Sequence, residues 1–282
     1  MKKIWQLLKI TVKSWNDDYA QSMGAALSFY TLFSIAPLLL IVLSITGFIF
    51  GLEAARGEIA GQLENLLGEQ GAIAVQALLQ NVNKPGEGLV ASIVGVVLLL
   101  MGATSVFGEL QNSLDRIWRA PERAKTNGII ALLHERLLSI GMILGIGFIL
   151  MVSLVFSAVL SAINQWWSPQ FKEWVTLLSS INIIFGFLMT TAMFALIYKL
   201  MPSVKILWRE VWIGAVITAI LFTVGKSLIG LYIGRSAITS GFGVAGSLVA
   251  LLVWVYYSAQ IFFLGAEFTW AYSKIYGSRR NS

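Results

Sequence analysis

Few side chains in this 282-residue chain could do chemistry, and their types limit what that chemistry is. There is no cysteine and a single histidine, His134. Disulfides, thiolate nucleophiles and cysteine metal sites are therefore excluded. One imidazole gives little support to a zinc or non-haem iron site, and no metal or organic cofactor is expected. No Ser/His or Asp/Asp pair shares a helix face, so an intramembrane enzyme has the least support. What remains is binding. Lys226 and Arg235 would suit an anionic group such as a phosphate or carboxylate. Glu109, Arg116 and Glu267 would form a gate or an ion-coupling site. Ser28, Tyr30, Thr31, Asn182 and Gln260 add hydroxyls and amides. Pro37 deprives the Phe33 carbonyl of its helical partner, which leaves an acceptor to be satisfied. Together these residues are the candidate substrate path or gate.

The elements that must position them are apolar helices. The chain is 57% hydrophobic and 12% charged, against about 25% charged in soluble domains. Such a chain cannot hide its apolar surface in a soluble core, so the expected class is an all-α polytopic membrane protein. Charge-free runs place six spans, at about 26–51, 88–108, 138–161, 176–198, 211–233 and 244–267, the fifth broken only by Lys226. The domain reading is an amphipathic N-terminal segment 1–25, a membrane domain 26–268 with an outer segment 52–87, and a basic tail 269–282. With both termini in the cytoplasm, Lys2, Lys3, Lys9, Lys13, Arg116, Arg119, Arg123, Lys125, Arg136, Lys199, Lys205, Arg209, Lys274, Arg279 and Arg280 lie inside. Only Arg56, Lys84, Lys172 and Arg235 lie outside. That asymmetry predicts an inner-membrane, multi-pass protein. It also accounts for the net charge of +6 without nucleic acid as a partner. No short apolar core is followed by an A-x-A site, so the first span is expected to act as an uncleaved signal-anchor.

Local patterns refine this. Ile4, Trp5, Leu8, Val12 and Trp15 recur at helical spacing with Lys2, Lys9 and Lys13 elsewhere on the wheel. Such a helix either lies along the inner leaflet or caps the bundle. Residues 53–83 are acidic and read as two short amphipathic helices, a lid on the outer face. The second span continues past Glu109 through Leu110, Leu114, Ile117 and Trp118 until Pro121 stops it. Gly141, Gly145 and Gly147 of the third span read as a packing device. Asn182, Gly186 and Thr190 form a stripe on one face of the fourth, which either glues helices or lines a wet path. Lys226 either snorkels or finds a partner. Residues 237–247, AITSGFGVAGS, read as a tight or re-entrant turn. Gly24 to Pro37 reads as a central helix with small residues at its start and a kink near mid-membrane.

Four stretches carry a resemblance: GAALSFYTLFSIAPLLL (Gly24 to Leu40), LQNSLDRIWRAP (Leu110 to Pro121), LMPSVKILWREVWIGA (Leu200 to Ala215) and GSLVALLVWVYYSAQIFFLGAEFT (Gly246 to Thr269). In this order they resemble the YihY / virulence factor BrkB family of bacterial inner-membrane proteins. The resemblance implies six spanning helices, a link to the cell envelope and, in some members, to serum resistance. Its older label, ribonuclease BN, is not supported by these residues, because a nuclease needs clustered carboxylates or a histidine-based pair. Two functions are then weighed. One is transport or export of a solute or lipid-like substrate, with the bilayer and an anionic solute or lipid as partners. The other is a non-transporting scaffold or envelope-assembly factor. A homo-oligomer is left open.

Overall fold

The computed structural model describes residues 2–32, 34, 105–121, 152, 172–235 and 246–279. Pro37, the outer segment 52–87, the third span apart from residue 152 and the 237–245 turn lie outside the described residues, as do most of the first and second spans. Among the described residues the structure is helical, with no strand. We label the helices α1 (Lys2–Asp17), α2 (20–32), α3 (105–117), α4 (Lys172–Leu200), α5 (Trp208–Arg235) and α6 (Gly246–Ile275).

Among the described residues, three stretches are long and apolar enough to cross a membrane: Ser180–Leu200, Trp208–Tyr232 and Leu248–Ile275. The shortest has 21 residues, which at 1.5 Å per residue spans about 31 Å, the thickness of the hydrocarbon core. Their ends follow from local chemistry. Pro202 disfavours helix at Met201, and α4 stops at Leu200 with Lys199 in its last turn, where a cation meets the negative end of the helix dipole. Glu210 stands in the first turn of α5, at the positive end. Helix α6 runs on to Ile275, through the first half of the 269–282 segment.

The chain divides into two compact units, and each is described by itself. The first comprises Met1–Val12, Leu114–Leu221 and Gly265–Ser282. Its interior holds Leu114, Ile117, Trp118, Tyr198, Val211, Ala215, Trp270 and Ala271. It also buries polar groups, and threonines solve the resulting problem in one way. Thr191, Thr218 and Thr269 each donate to the carbonyl four residues back, Phe187, Gly214 and Gly265, at 2.7–2.8 Å. A hydroxyl bonded to its own helix carries no unmet donor into the interior.

The packing of α5 on α6 in this unit is reciprocal. A methyl group on Gly214 would lie 2.8 Å from Cβ and 2.9 Å from Cγ2 of Thr269, and closer still to its hydroxyl. A methyl on Gly265 would lie 2.9 Å from Cβ of Thr218 and 2.7 Å from the Tyr198 hydroxyl. Two Gly-x-x-x-Thr segments, Gly214 to Thr218 and Gly265 to Thr269, thus fill each other's gaps, and α4 joins them through Tyr198. The single hydroxyl hydrogen of Thr218 goes to Gly214. Tyr198, 3.0 Å away, is therefore the donor of the Tyr198–Thr218 bond.

The second unit comprises Lys13–Ser113 and Phe222–Leu264. Here α2 turns Ala20, Met23 and Leu27 inward. The Gln260 amide of α6 covers Gly24 and donates to the Ala20 carbonyl at 3.3 Å. The distal half of α5 presents Gly225 and Ile229 to α6, where Ile229 and Ala250 pack with Val253, Trp254 and Tyr257. Phe222 meets Trp254 edge-on at 6.3 Å between centroids.

Helix α1 shows three faces. Leu7, Thr11 and Ser14 are buried. Ile4, Trp5, Leu8 and Val12 are exposed, with Trp5 72% accessible. Lys9 and Lys13 are exposed on the remaining side. Trp15, read from sequence as part of the apolar stripe, is instead half-buried at its edge. The helix ends at Tyr19, whose φ of 58° is left-handed. Its N–H donates to the Asn16 carbonyl, and its own carbonyl accepts from Ser22 and Met23 of α2. One residue therefore closes α1 and opens α2.

Candidate functional site

Among the described residues, charged and aromatic side chains assemble in the first unit, where α3 ends, α5 begins and α6 runs out. Helix α3 closes in a Schellman motif: Ala120 N–H donates to the Asp115 carbonyl at 2.8 Å and Arg119 N–H to the Arg116 carbonyl at 3.1 Å. The residue in the left-handed position is Arg119, with φ of 53°, where glycine is usual. A left-handed arginine costs on the order of 1 kcal/mol in backbone energy. Its side chain gives a reason to keep it, since the guanidinium lies 4.8 Å from the Trp270 ring centroid.

Trp270 carries a second cation, Lys274 from the next turn of α6, also at 4.8 Å. Arg279 lies 5.2 Å from the Trp118 ring and donates to the Trp118 carbonyl at 2.9 Å. Lys199 donates to the Ile206 carbonyl and lies 5.5 Å from Trp208. The acids hold backbone. Asp115 accepts from the N–H and the hydroxyl of Ser203, both at 2.6 Å. Glu210, almost wholly buried, accepts from Ser278 N–H at 2.6 Å. A methyl on Gly277 would meet that carboxylate and come 2.8 Å from the Ser273 α-carbon, so this turn requires glycine. The arrangement fastens the 201–207 loop to α3 and the residues after Ile275 to both Glu210 and Trp118. It leaves Arg116, Arg119, Lys205, Arg209 and Lys274 exposed.

The sequence-derived candidates fall in both units. In the first, Glu267 is completely buried, Arg116 is exposed and so is Asn182. Thr190 donates to the Gly186 carbonyl at 2.9 Å. No described atom lies within 4 Å of where a Gly186 methyl would be. In the second unit, Ser28 is buried and donates to the Ala25 carbonyl at 2.9 Å. Tyr30 is at the edge of exposure, with its ring against Phe29, and Thr31 is half-buried. Glu109 accepts a long 3.5 Å bond from Ser113. Gln260 lies on α2 through Gly24 and Ala20, and its carbonyl oxygen is buried without a hydrogen-bond partner among the described residues. Lys226 is exposed beside Val224, Ser227 and Leu228. Arg235 ends α5. Among these, Gln260 alone is brought onto the small-residue face of α2. Sequence reasoning missed the Gly214/Thr218 and Gly265/Thr269 pairing and the left-handed Arg119. It also missed the seat of Ser278 on Glu210. A repeated Gly-x-x-x-Thr spacing was the signal available for the first. Among the described residues no three His, Asp or Glu side chains gather as metal ligands.

Long apolar helices interlocked through small residues, with cations stacked on tryptophans at one end, define an α-helical integral membrane protein. The chain belongs to the virulence factor BrkB family, whose sequence pattern matches residues 11–282. It is similar to a UPF0761 membrane protein of Alcanivorax borkumensis, 28% identical over 267 residues, covering 92% of this chain and 58% of the relative. A UPF0761 membrane protein of Psychrobacter is 26% identical over 271 residues, covering 94% and 48%. One from Psychromonas ingrahamii is 26% identical over 279 residues, covering 95% and 88%. The chain thus spans about half the length of the first two relatives. No solved structure matches it.

Proposed function

We propose that this chain is a multi-pass inner-membrane protein, with both termini cytoplasmic, that moves a solute or lipid-like substrate across the bilayer. The orientation rests on the uneven distribution of lysine and arginine, and the six-span topology on the charge-free runs. The observation that carries transport is the two-sided surface of α4. Ile181, Ile184 and Leu188 are exposed on one side, and Ile183, exposed as well, borders the polar stripe next to Thr190. At 100° per residue, the stripe of Asn182, Gly186 and Thr190 lies roughly 170° away. If the isoleucines and leucine face lipid, the polar stripe faces away from it, toward a path. An asparagine side chain in lipid would be costly, and along a wet path it is not, whereas Thr190 is already bonded to its own helix.

The absence of cysteine makes the test direct. Single cysteines at Asn182, Gly186 and Thr190 should react with a membrane-impermeant thiol reagent in intact membranes, whereas cysteines at Ile184 and Leu188 should not. Protection of all three stripe positions in folded protein, with a labelled control at Ser278, would refute the path. The second reading is a scaffold or envelope-assembly factor. The reciprocal α5–α6 packing and the exposure of Lys226 on an apolar surface favour it. A Lys226→Ala protein that keeps every wild-type phenotype supports the scaffold over an anion path through Lys226.

A further inference from the structure

We infer that α1 is an in-plane membrane anchor whose partner is the surface of an anionic lipid leaflet. The argument starts from its three faces. Taking 100° per residue, the apolar face of Ile4, Trp5, Leu8 and Val12 is centred roughly 110° from the buried face of Leu7, Thr11 and Ser14, and Lys9 and Lys13 lie roughly 100° beyond it. The buried face holds the helix to the protein, so the other two are aimed. One is a strip of large apolar groups with Trp5 and Ile4 72% and 61% accessible. The other is a strip of exposed lysines. No acidic residue precedes Asp17. A helix with this division sinks its apolar side to the acyl–headgroup boundary and lays its cations on phosphate.

A second stretch of the same unit has the same chemistry. In residues 205–212, Trp208 and Trp212 are exposed at helical spacing and alternate along the chain with exposed Lys205 and Arg209. Tryptophans with basic neighbours at the end of a span mark headgroup level. An acidic protein partner would match the lysines of α1 but leave its apolar strip in water. A second copy of the chain would bring lysine against lysine. The lipid surface satisfies both strips at once.

The test uses the full-length chain in nanodiscs. Leu8→Cys and Gln6→Cys are labelled separately with an environment-sensitive fluorophore, and quenching is read with lipids carrying a nitroxide near the top of the acyl chain. In discs rich in phosphatidylglycerol, the label at position 8 should be shifted to the blue and quenched, and the label at position 6 should stay solvated. Each lysine close to an anionic surface shifts the docked-to-released ratio about fivefold. Replacing both in a Leu8→Cys/Lys9→Gln/Lys13→Gln protein should therefore lower that ratio on the order of 25-fold, and discs of phosphatidylcholine should lower it likewise. Equal quenching at positions 6 and 8, or quenching at 8 indifferent to lipid charge, would overturn the inference. So would an efficient Leu8→Cys disulfide between copies, which would assign the face to self-association.

Discussion

Gly214 and Gly225 lie on the same helix and differ in what stands over them. Above Gly214 is the branched stub of Thr269, with hydroxyl, Cβ and Cγ2 all close. Above Gly225 are far ends, Cδ1 of Ile261 and the ring edge of Tyr257. A β-branched side chain is stiff at χ1 and has nowhere to swing. A terminal methyl or ring edge can shift by a few tenths of an ångström. The same residue type therefore serves a fixed crossing in the first unit and an adjustable contact in the second. Gly24 belongs with the second kind, because it is covered by the end of the long Gln260 side chain.

This contrast can be broken by alanine substitutions in purified protein, read as unfolding midpoints in detergent. Gly265→Ala should be the most damaging, by about 3 kcal/mol, because its methyl meets both Thr218 and Tyr198. Gly214→Ala should follow at about 2 kcal/mol. If stiffness of the threonine is the cause, Gly265→Ala combined with Thr218→Ala should show a favourable coupling of about 1–2 kcal/mol. Additivity within error would mean that the backbones, and not the threonine, set the limit. Gly225→Ala should cost under about 1 kcal/mol, since Ile261 can move. Gly186→Ala and Gly230→Ala meet no described atom within 4 Å. Both should be neutral or stabilising by up to about 1 kcal/mol, the helix preference of alanine over glycine. A stable Gly186→Ala protein with altered transport would separate the α4 stripe from packing altogether.

How much of this could be read beforehand depended on whether the determinant was local. Charge-free runs placed the three long helices because lipid demands unbroken apolar length and backbone that bonds within itself. The same rule does not locate the end of helix α6. Glu267 and Lys274 look like the margin of a span, yet the turns between them are covered by protein, with Thr269, Ala271 and Ser273 fully buried. Hydropathy cannot distinguish cover by lipid from cover by protein. The Gly/Thr crossing was hidden for another reason: its halves are about 50 residues apart, and each alone reads as an ordinary polar interruption. Pro121 pointed to the end of α3 but not to the left-handed arginine two residues before it. That choice is explained only by the ring of Trp270, which comes from the far end of the chain.

The candidate site divides along the same line. Residue types gave Asn182, Lys226 and Glu267 as polar groups on apolar spans. Only the fold separates them into two exposed side chains and one fully buried carboxyl. Asp115 and Glu210 are, in the sequence, only charges beside apolar runs. Their work, holding Ser203 and Ser278 by the backbone, depends on loops whose course no periodicity describes.

The threonine bonds at the α5–α6 crossing also bear on how the protein is made. Thr218 and Thr269 bond to carbonyls of their own helices. Each helix can therefore leave the insertion machinery with these hydroxyls already satisfied, and wait in lipid without a polar debt. Docking then needs no hydrogen bond to be broken, only two glycines to find two threonines. The crossing is set up to be assembled from finished parts, once synthesis has delivered both helices.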